Sequence, residues 1–162
     1  MGREEKLFHL QEDDIQKYEL DNGDECEIYI PRSPKERVPF QSDHCEFMPV
    51  GWTRLGEIWY PLSYKVVTEE LKSLGLRRNP NIMTFPVCEW VLLPDDQVKP
   101  GMDDWGGVWT ALRSGSVKTL KEHCQRTWGM ETRGFLTAIH NPVFANSYRI
   151  KSQGVILLKE IV

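Results

Sequence analysis

The sequence lacks any apolar run of the roughly 20 residues that a helix needs to cross a bilayer. Its charged start, Met1–Lys6, is followed by no apolar stretch of the kind found in secretory signals. The few cysteines are scattered, without a C-x-x-C pair, at Cys26, Cys45, Cys88 and Cys124. We therefore expect a cytoplasmic protein with reduced thiols and no membrane contact.

Signatures of common catalytic and cofactor sites are also missing. The chain has no H-E-x-x-H zinc motif, no glycine-rich dinucleotide or P-loop pattern and no G-x-S-x-G turn. His44 and His123 each precede a cysteine, but adjacent side chains point in different directions and do not readily chelate one ion. The sequence therefore predicts no metal and no cofactor, and it indicates no catalytic residue.

What is present is ordinary globular composition, with 162 residues of which 40% are hydrophobic and 27% charged. This length fits one domain of about 100–200 residues, so we expect residues 1–162 to form a single domain. Within it, composition separates an acidic N-terminal segment (1–24), a Pro/Gly-rich irregular segment (31–56) and an α+β core (57–162).

Local patterns predict an α+β fold, with a mostly antiparallel or mixed sheet and two main helices packed on it. The first helix is expected to begin at Ser63 or Thr68 and to end at Leu74, because Val67, Leu71 and Leu74 recur at helical spacing. Gly75 follows, where a helix-terminating glycine belongs.

The second helix is expected to begin at Ser114 or Ser116 and to run to Trp128, followed by Gly129. Its apolar stripe, including Trp128, should face the core. Strands are expected on both sides, and Asn141-Pro142 predicts a break between a strand over 133–140 and a C-terminal hairpin over 148–162.

Charge is distributed unevenly along the chain. Residues 1–27 carry ten acidic and three basic side chains, whereas residues 106–159 carry eight basic and two acidic ones. A basic face attracts anions even on a protein with a net charge of −4. The alternative is that the two ends of the chain neutralise each other in the fold.

The basic half contains two candidate polar clusters. The start of the second helix, Arg113, Ser114 and Ser116, offers donors and free backbone N–H groups for an anion, or is an ordinary capped turn. The second cluster surrounds the predicted strand break; its candidate ligand-binding residues are Arg133, His140, Tyr148 and Arg149.

Two of the six tryptophans, Trp52 and Trp105, fall in glycine-flanked loops. Each either pins its loop by burial or forms a platform for a planar ligand. Together these features predict binding or processing of an anionic small molecule, such as a nucleotide. The alternative is a non-enzymatic interaction, inhibitor or accessory module with a protein partner. Nucleic-acid binding is less favoured, because the Lys and Arg residues form no cluster.

Overall fold

The computed structural model describes residues 15–75 and 82–161. These two ranges form ten β-strands and one α-helix, together with short 3-10 turns. The strands are β1 Gln16–Glu19, β2 Glu25–Tyr29, β3 Phe40–Gln41, β4 Glu46–Phe47, β5 Trp52–Leu55, β6 Ile58–Thr68, β7 Trp90–Leu92, β8 Val108–Ala111, β9 Thr132–Ala145 and β10 Arg149–Glu160; the helix is α1 Ser114–Trp128.

The sheet is antiparallel at every pairing between these strands. It runs from β1 through β2, β5 and β6 to β9 and β10. Besides β9, β10 also pairs with β8 and β7, and β3 and β4 form a separate two-stranded sheet. Because β8 also pairs with β6, the strands β6, β9, β10 and β8 form a closed ring. The architecture is an α+β fold with a large, mostly antiparallel sheet.

The prediction of two main helices is wrong, because α1 is the only helix of that size in the described residues. The segment expected to hold the first helix continues β6 to Thr68. Its β-branched Val66, Val67 and Thr68 suit a strand, where their side chains alternate between two packed faces. The chain then turns sharply at Leu71 (φ 63°), and the main-chain N–H of Phe85 donates to the Leu71 carbonyl.

The helix α1 confirms the second helical prediction. Val117 and Cys124 are buried, and Gly129 ends the helix in the left-handed conformation (φ 61°) that glycine adopts without steric cost. Trp128 was expected to join the core but is 54% exposed. Within the described ranges, no helix combines the length and the apolar character needed to cross a membrane.

No break occurs at Asn141-Pro142, because both residues lie within the single strand β9; a bulge follows them at Val143, between the pairs Ser152–Pro142 and Lys151–Phe144. Asn141 tolerates the left-handed conformation (φ 52°), and its side-chain amide donates to Gln153 Oε1 at 3.1 Å. The turn lies later, where Asn146 Oδ1 accepts from the main-chain N–H groups of Tyr148 and Arg149. The C-terminal hairpin is therefore β9–β10, and β10 is uninterrupted.

Strand alternation divides the core into two clusters on opposite faces of the sheet. The first contains Trp59 and Val67 of β6 with Phe85 from the connecting segment. The second contains Leu62 of β6 with Leu158 of β10 and residues of the β1–β2 hairpin. The turn of that hairpin contacts β10, because the Asp21 main-chain N–H donates to the Leu158 carbonyl at 3.1 Å. Each long strand thus supplies apolar side chains to both clusters.

The Pro/Gly-rich segment 31–56 contributes Phe40, Phe47 and Trp52 to the first cluster. The Phe40 ring stacks on Phe47 with centroids 5.1 Å apart. Trp52 is fully buried, and its indole Nε1 donates to the Val38 carbonyl at 2.9 Å. Of the two interpretations considered for Trp52, the structure shows the loop-pinning one.

We expect Trp52→Phe to lower the free energy of unfolding by about 2 kcal/mol, because it removes a buried hydrogen bond and leaves a cavity. Trp128→Phe is the matched control, since Trp128 is 54% exposed. Its effect should stay within about 0.5 kcal/mol. Urea unfolding of both variants provides the measurement; equal effects would contradict the assignment of Trp52 as the pin of this segment.

Candidate functional site

A cavity of about 990 Å³ lies beside the junction of β6 and β8. These two strands meet at only one residue pair, Tyr64 and Ala111, so the sheet is weakly closed there. The walls come from both strands, from the first turns of α1, from residues 73–75 with Met83 and Phe85, and from the connecting segment 93–107. This volume is at the upper end of the range for small-molecule sites in proteins.

Lys65 is the main cationic group of the cavity wall. Its ammonium Nζ donates to the main-chain carbonyl of Trp109 at 2.8 Å and lies 4.9 Å from the centre of the Phe85 ring. Among the described residues, no carboxylate lies within ion-pair distance of it. Desolvation lowers the pKa of Lys65 from 10.5 to about 8. The cavity wall therefore includes a poorly solvated cation that has a single hydrogen-bond acceptor within residues 15–75 and 82–161.

The surfaces around Lys65 are largely apolar. Met83, Phe85, Val117 and Leu120 all line the cavity. Thr110 is also in the wall; it is 4% exposed, and its buried hydroxyl has no hydrogen-bond partner in the described part of the chain. This apolar part of the wall suits the body of a ligand, and Lys65 lies beside it, where it can orient one polar end.

Trp109 forms a second wall with Arg149. The Arg149 guanidinium lies 4.0 Å from the centre of the Trp109 ring, a cation–π contact, and 3.9 Å from the Asp104 carboxylate. The Trp109 indole Nε1 donates to the Asp104 carbonyl at 3.0 Å, and Phe144 packs edge-on against the ring. The indole and the guanidinium are therefore held rigidly.

The loop at residues 103–107 is fixed by Lys151 of β10. This lysine is fully buried, and its Nζ donates to the carbonyls of Asp103 and Trp105 at 3.2 and 3.1 Å. Its side chain passes so close to Gly107 that a Cβ there would lie 2.3 Å from Lys151 Cγ. Burial lowers the pKa of Lys151, and Asp103 and Asp104 partly oppose that shift. The Lys151 ammonium thus stabilises the loop and is not available to a ligand.

The helix start differs from the expected capped turn. Arg113 occupies the cap position without a side-chain hydrogen bond to the helix, so neither predicted serine cap is formed. Ser116 lines the cavity, whereas Arg113 and Ser114 are exposed and do not. The acidic side chains on the cavity wall are Asp96, Asp103 and Asp104.

The structure brings only some of the predicted site residues together. Trp105, Ser116, Tyr148 and Arg149 line the cavity, with Trp105 62% and Tyr148 74% exposed. These four come from three separate stretches of the chain. Trp105 therefore lies where a ligand platform could be, unlike Trp52.

The other predicted residues lie elsewhere. Arg133 forms a two-point ion pair with Glu160, at 3.0 and 2.8 Å. His140 contacts the rings of Tyr60 and Trp90, each with centroids 6.2 Å away. The cationic groups of the second half therefore do not gather in one pocket, and Arg149 is the one predicted arginine in the cavity wall.

Sequence reasoning missed Lys65 and Thr110. A usable signal was present for Lys65, because it alternates with Trp59, Ser63 and Val67 on the buried face of β6. A lysine at a core-facing strand position is unusual and marks either a partner or a site. Reading 63–74 as a helix concealed that alternation.

The described ranges give no support for a metal site or for a reactive cysteine. No group of three or more His, Cys, Asp or Glu side chains is placed to hold a metal ion there. The four cysteines are free, as expected, and burial raises the pKa of Cys26, Cys45 and Cys124. These three thiols are thus kept protonated and poorly nucleophilic.

We expect Lys65→Met to raise stability at pH 7 by about 2 kcal/mol, because the cost of the desolvated ammonium exceeds the one hydrogen bond lost. Between pH 8 and about 10.5 the unfolded chain binds a proton at Lys65 that the folded chain does not. The free energy of unfolding of the wild type therefore rises relative to that of Lys65→Met as the pH increases from 8 to about 10.5. Urea unfolding at pH 7 and pH 10 tests this; a constant difference would contradict the lowered pKa.

Lys151→Met should have the opposite effect and lower stability by about 1–2 kcal/mol, because two loop carbonyls lose a charged donor. The loop should also become more accessible to protease around Trp105. Lys118→Met, on the exposed side of α1, is the matched control and should change neither property. A Lys151→Met variant as stable and as protease-resistant as wild type would show that the loop does not depend on this lysine.

Comparison with protein-family models, with curated proteins and with solved structures finds no match to this chain.

Proposed function

We propose that this protein binds a small amphipathic molecule carrying one anionic group, such as a carboxylate, in the cavity at the β6–β8 junction. The apolar body of the ligand would lie among Met83, Phe85, Val117 and Leu120, and its anionic group would pair with Lys65. The proposed ligand belongs to the class predicted from the sequence, an anionic small molecule. The residue proposed to bind its anionic group, Lys65, was not among those predicted.

The proposal rests on the surroundings of the Lys65 ammonium. This group lines a cavity of about 990 Å³ and donates to one main-chain carbonyl, with no carboxylate in ion-pair range among the described residues. A poorly solvated cation gains more from an anionic ligand than a hydrated one does, because the surroundings screen the attraction less. A charge-assisted hydrogen bond to a carboxylate would supply the missing partner.

The acidic residues of the wall argue for a single negative charge on the ligand. Asp96, Asp103 and Asp104 line the same cavity, so a polyphosphate would bring several charges close to like charges. The basic residues of the same wall are Lys65, Lys99 and Arg149, and Arg149 is already 3.9 Å from Asp104. Among anions, a monocarboxylate suits this balance better than a nucleotide triphosphate.

The test uses a fluorescent amphipathic monoanion, 1-anilinonaphthalene-8-sulfonate, as the probe of the cavity. Octanoate, 1-octanol and ATP are then compared as competitors at pH 7. Octanoate should displace the probe at about tenfold lower concentration than 1-octanol, a difference of ~1.4 kcal/mol. ATP should displace it poorly. No displacement by octanoate at millimolar concentration would refute the proposal.

Two further measurements assign the effect to Lys65. In Lys65→Met, octanoate and 1-octanol should compete equally well, whereas Lys118→Met should retain the wild-type preference. In the wild type the preference should fade above pH 8, because Lys65 loses its proton there. A preference that survives in Lys65→Met, or that is constant to pH 10, would place the anion elsewhere.

A further inference from the structure

We infer that Lys65 also captures carbonyl compounds of this amphipathic class, by forming a reversible imine with an aldehyde or ketone bound in the same cavity. This inference rests on the proposed function, since it requires the ligand to enter at Lys65. It adds a covalent step and a second substrate class, and it assigns the nucleophile.

Geometry separates Lys65 from the other lysines of the site. Lys65 lines the cavity, and its Nζ has one hydrogen-bond acceptor among the described residues, the Trp109 carbonyl at 2.8 Å. Lys151 is fully buried, and its Nζ donates to the carbonyls of Asp103 and Trp105, so a ligand has no approach to it. Lys99 also lines the cavity but is exposed on the 93–107 loop, so it is not desolvated as Lys65 is.

The protonation state supports the same assignment. Only a neutral amine attacks a carbonyl carbon, and a pKa of about 8 leaves roughly a quarter of Lys65 neutral at pH 7.5. An unperturbed lysine is neutral to about one part in a thousand at that pH. The absence of a carboxylate partner in the described residues favours the neutral form, because a paired carboxylate would hold the proton. Desolvated lysines in apolar pockets are a known way to activate this nucleophile.

The chemical step is a condensation that requires no other reactant. The lone pair of the Lys65 Nζ forms a bond to the carbonyl carbon, and a proton passes from nitrogen to the former carbonyl oxygen. The resulting carbinolamine loses its hydroxyl group together with the remaining proton on nitrogen as one molecule of water, and a carbon–nitrogen double bond remains. The apolar side chains of Phe85 and Val117 offer water no hydrogen bonds, which favours the imine over hydrolysis.

The experiment traps the imine with octanal and sodium cyanoborohydride at pH 7.5. Intact mass and peptide mapping then locate the alkylated lysines. Lys65 should be modified at least about tenfold faster than any exposed lysine, as its larger neutral fraction dictates. An excess of octanoate should slow that modification, because it occupies the same cavity.

Lys65→Arg is the decisive variant, since it keeps a cation and removes the nucleophile. It should lose the fast trapping, whereas Lys118→Met should retain both the fast trapping and the preference for octanoate over 1-octanol. Octanoate binding without preferential trapping at Lys65 would overturn the imine and leave the binding proposal standing. Fast trapping at Lys65 without octanoate binding would support the imine and overturn the monoanion proposal. If neither occurs, both fall.

Discussion

The single residue pair between β6 and β8 is the constraint on which the site depends. Tyr64 and Ala111 close the ring of strands β6, β9, β10 and β8, but no further ladder pair continues on either side. Strands that meet at one point must separate beyond it, and the space between them and the covering segments becomes the cavity. The carbonyl of Trp109 lies beside this junction and is satisfied by the side chain of Lys65. The same geometry therefore creates both the cavity and the environment of its cation.

Lys65 and Lys151 show that the role of a lysine cannot be inferred from its burial alone. Lys151 is the more enclosed, yet its Nζ has two carbonyl acceptors and carboxylates near enough to oppose its pKa shift. Lys65 has one acceptor, and desolvation alone lowers its pKa. The first arrangement uses a charge to fix a loop. The second leaves the Lys65 charge poorly compensated. Its desolvation lowers the stability of the fold unless an anionic ligand pairs with it.

Some of this architecture is visible in the sequence. The period and end signals of α1 are local, so its bounds were predictable from Val117, Cys124 and Gly129. The segment 63–74 was misread because Val67, Leu71 and Leu74 also satisfy a helical spacing; its pairing with β9, a long-range contact, decides for the strand. The predicted break at Asn141-Pro142 was wrong for the same reason, since pairing with β10 extends on both sides of the proline. The site was the least predictable part, because Lys65, Phe85 and Arg149 meet only after the ring closes.

The most direct test of the account is the pKa of the Lys65 side chain, measured by NMR of the protein with labelled lysine. The account predicts a value of about 8 in the free protein, and a clear rise when octanoate saturates the cavity. A value near 10.5 that octanoate does not change would show a well-solvated ammonium, and it would contradict the central claim that this cation is poorly solvated and has no carboxylate partner among the described residues.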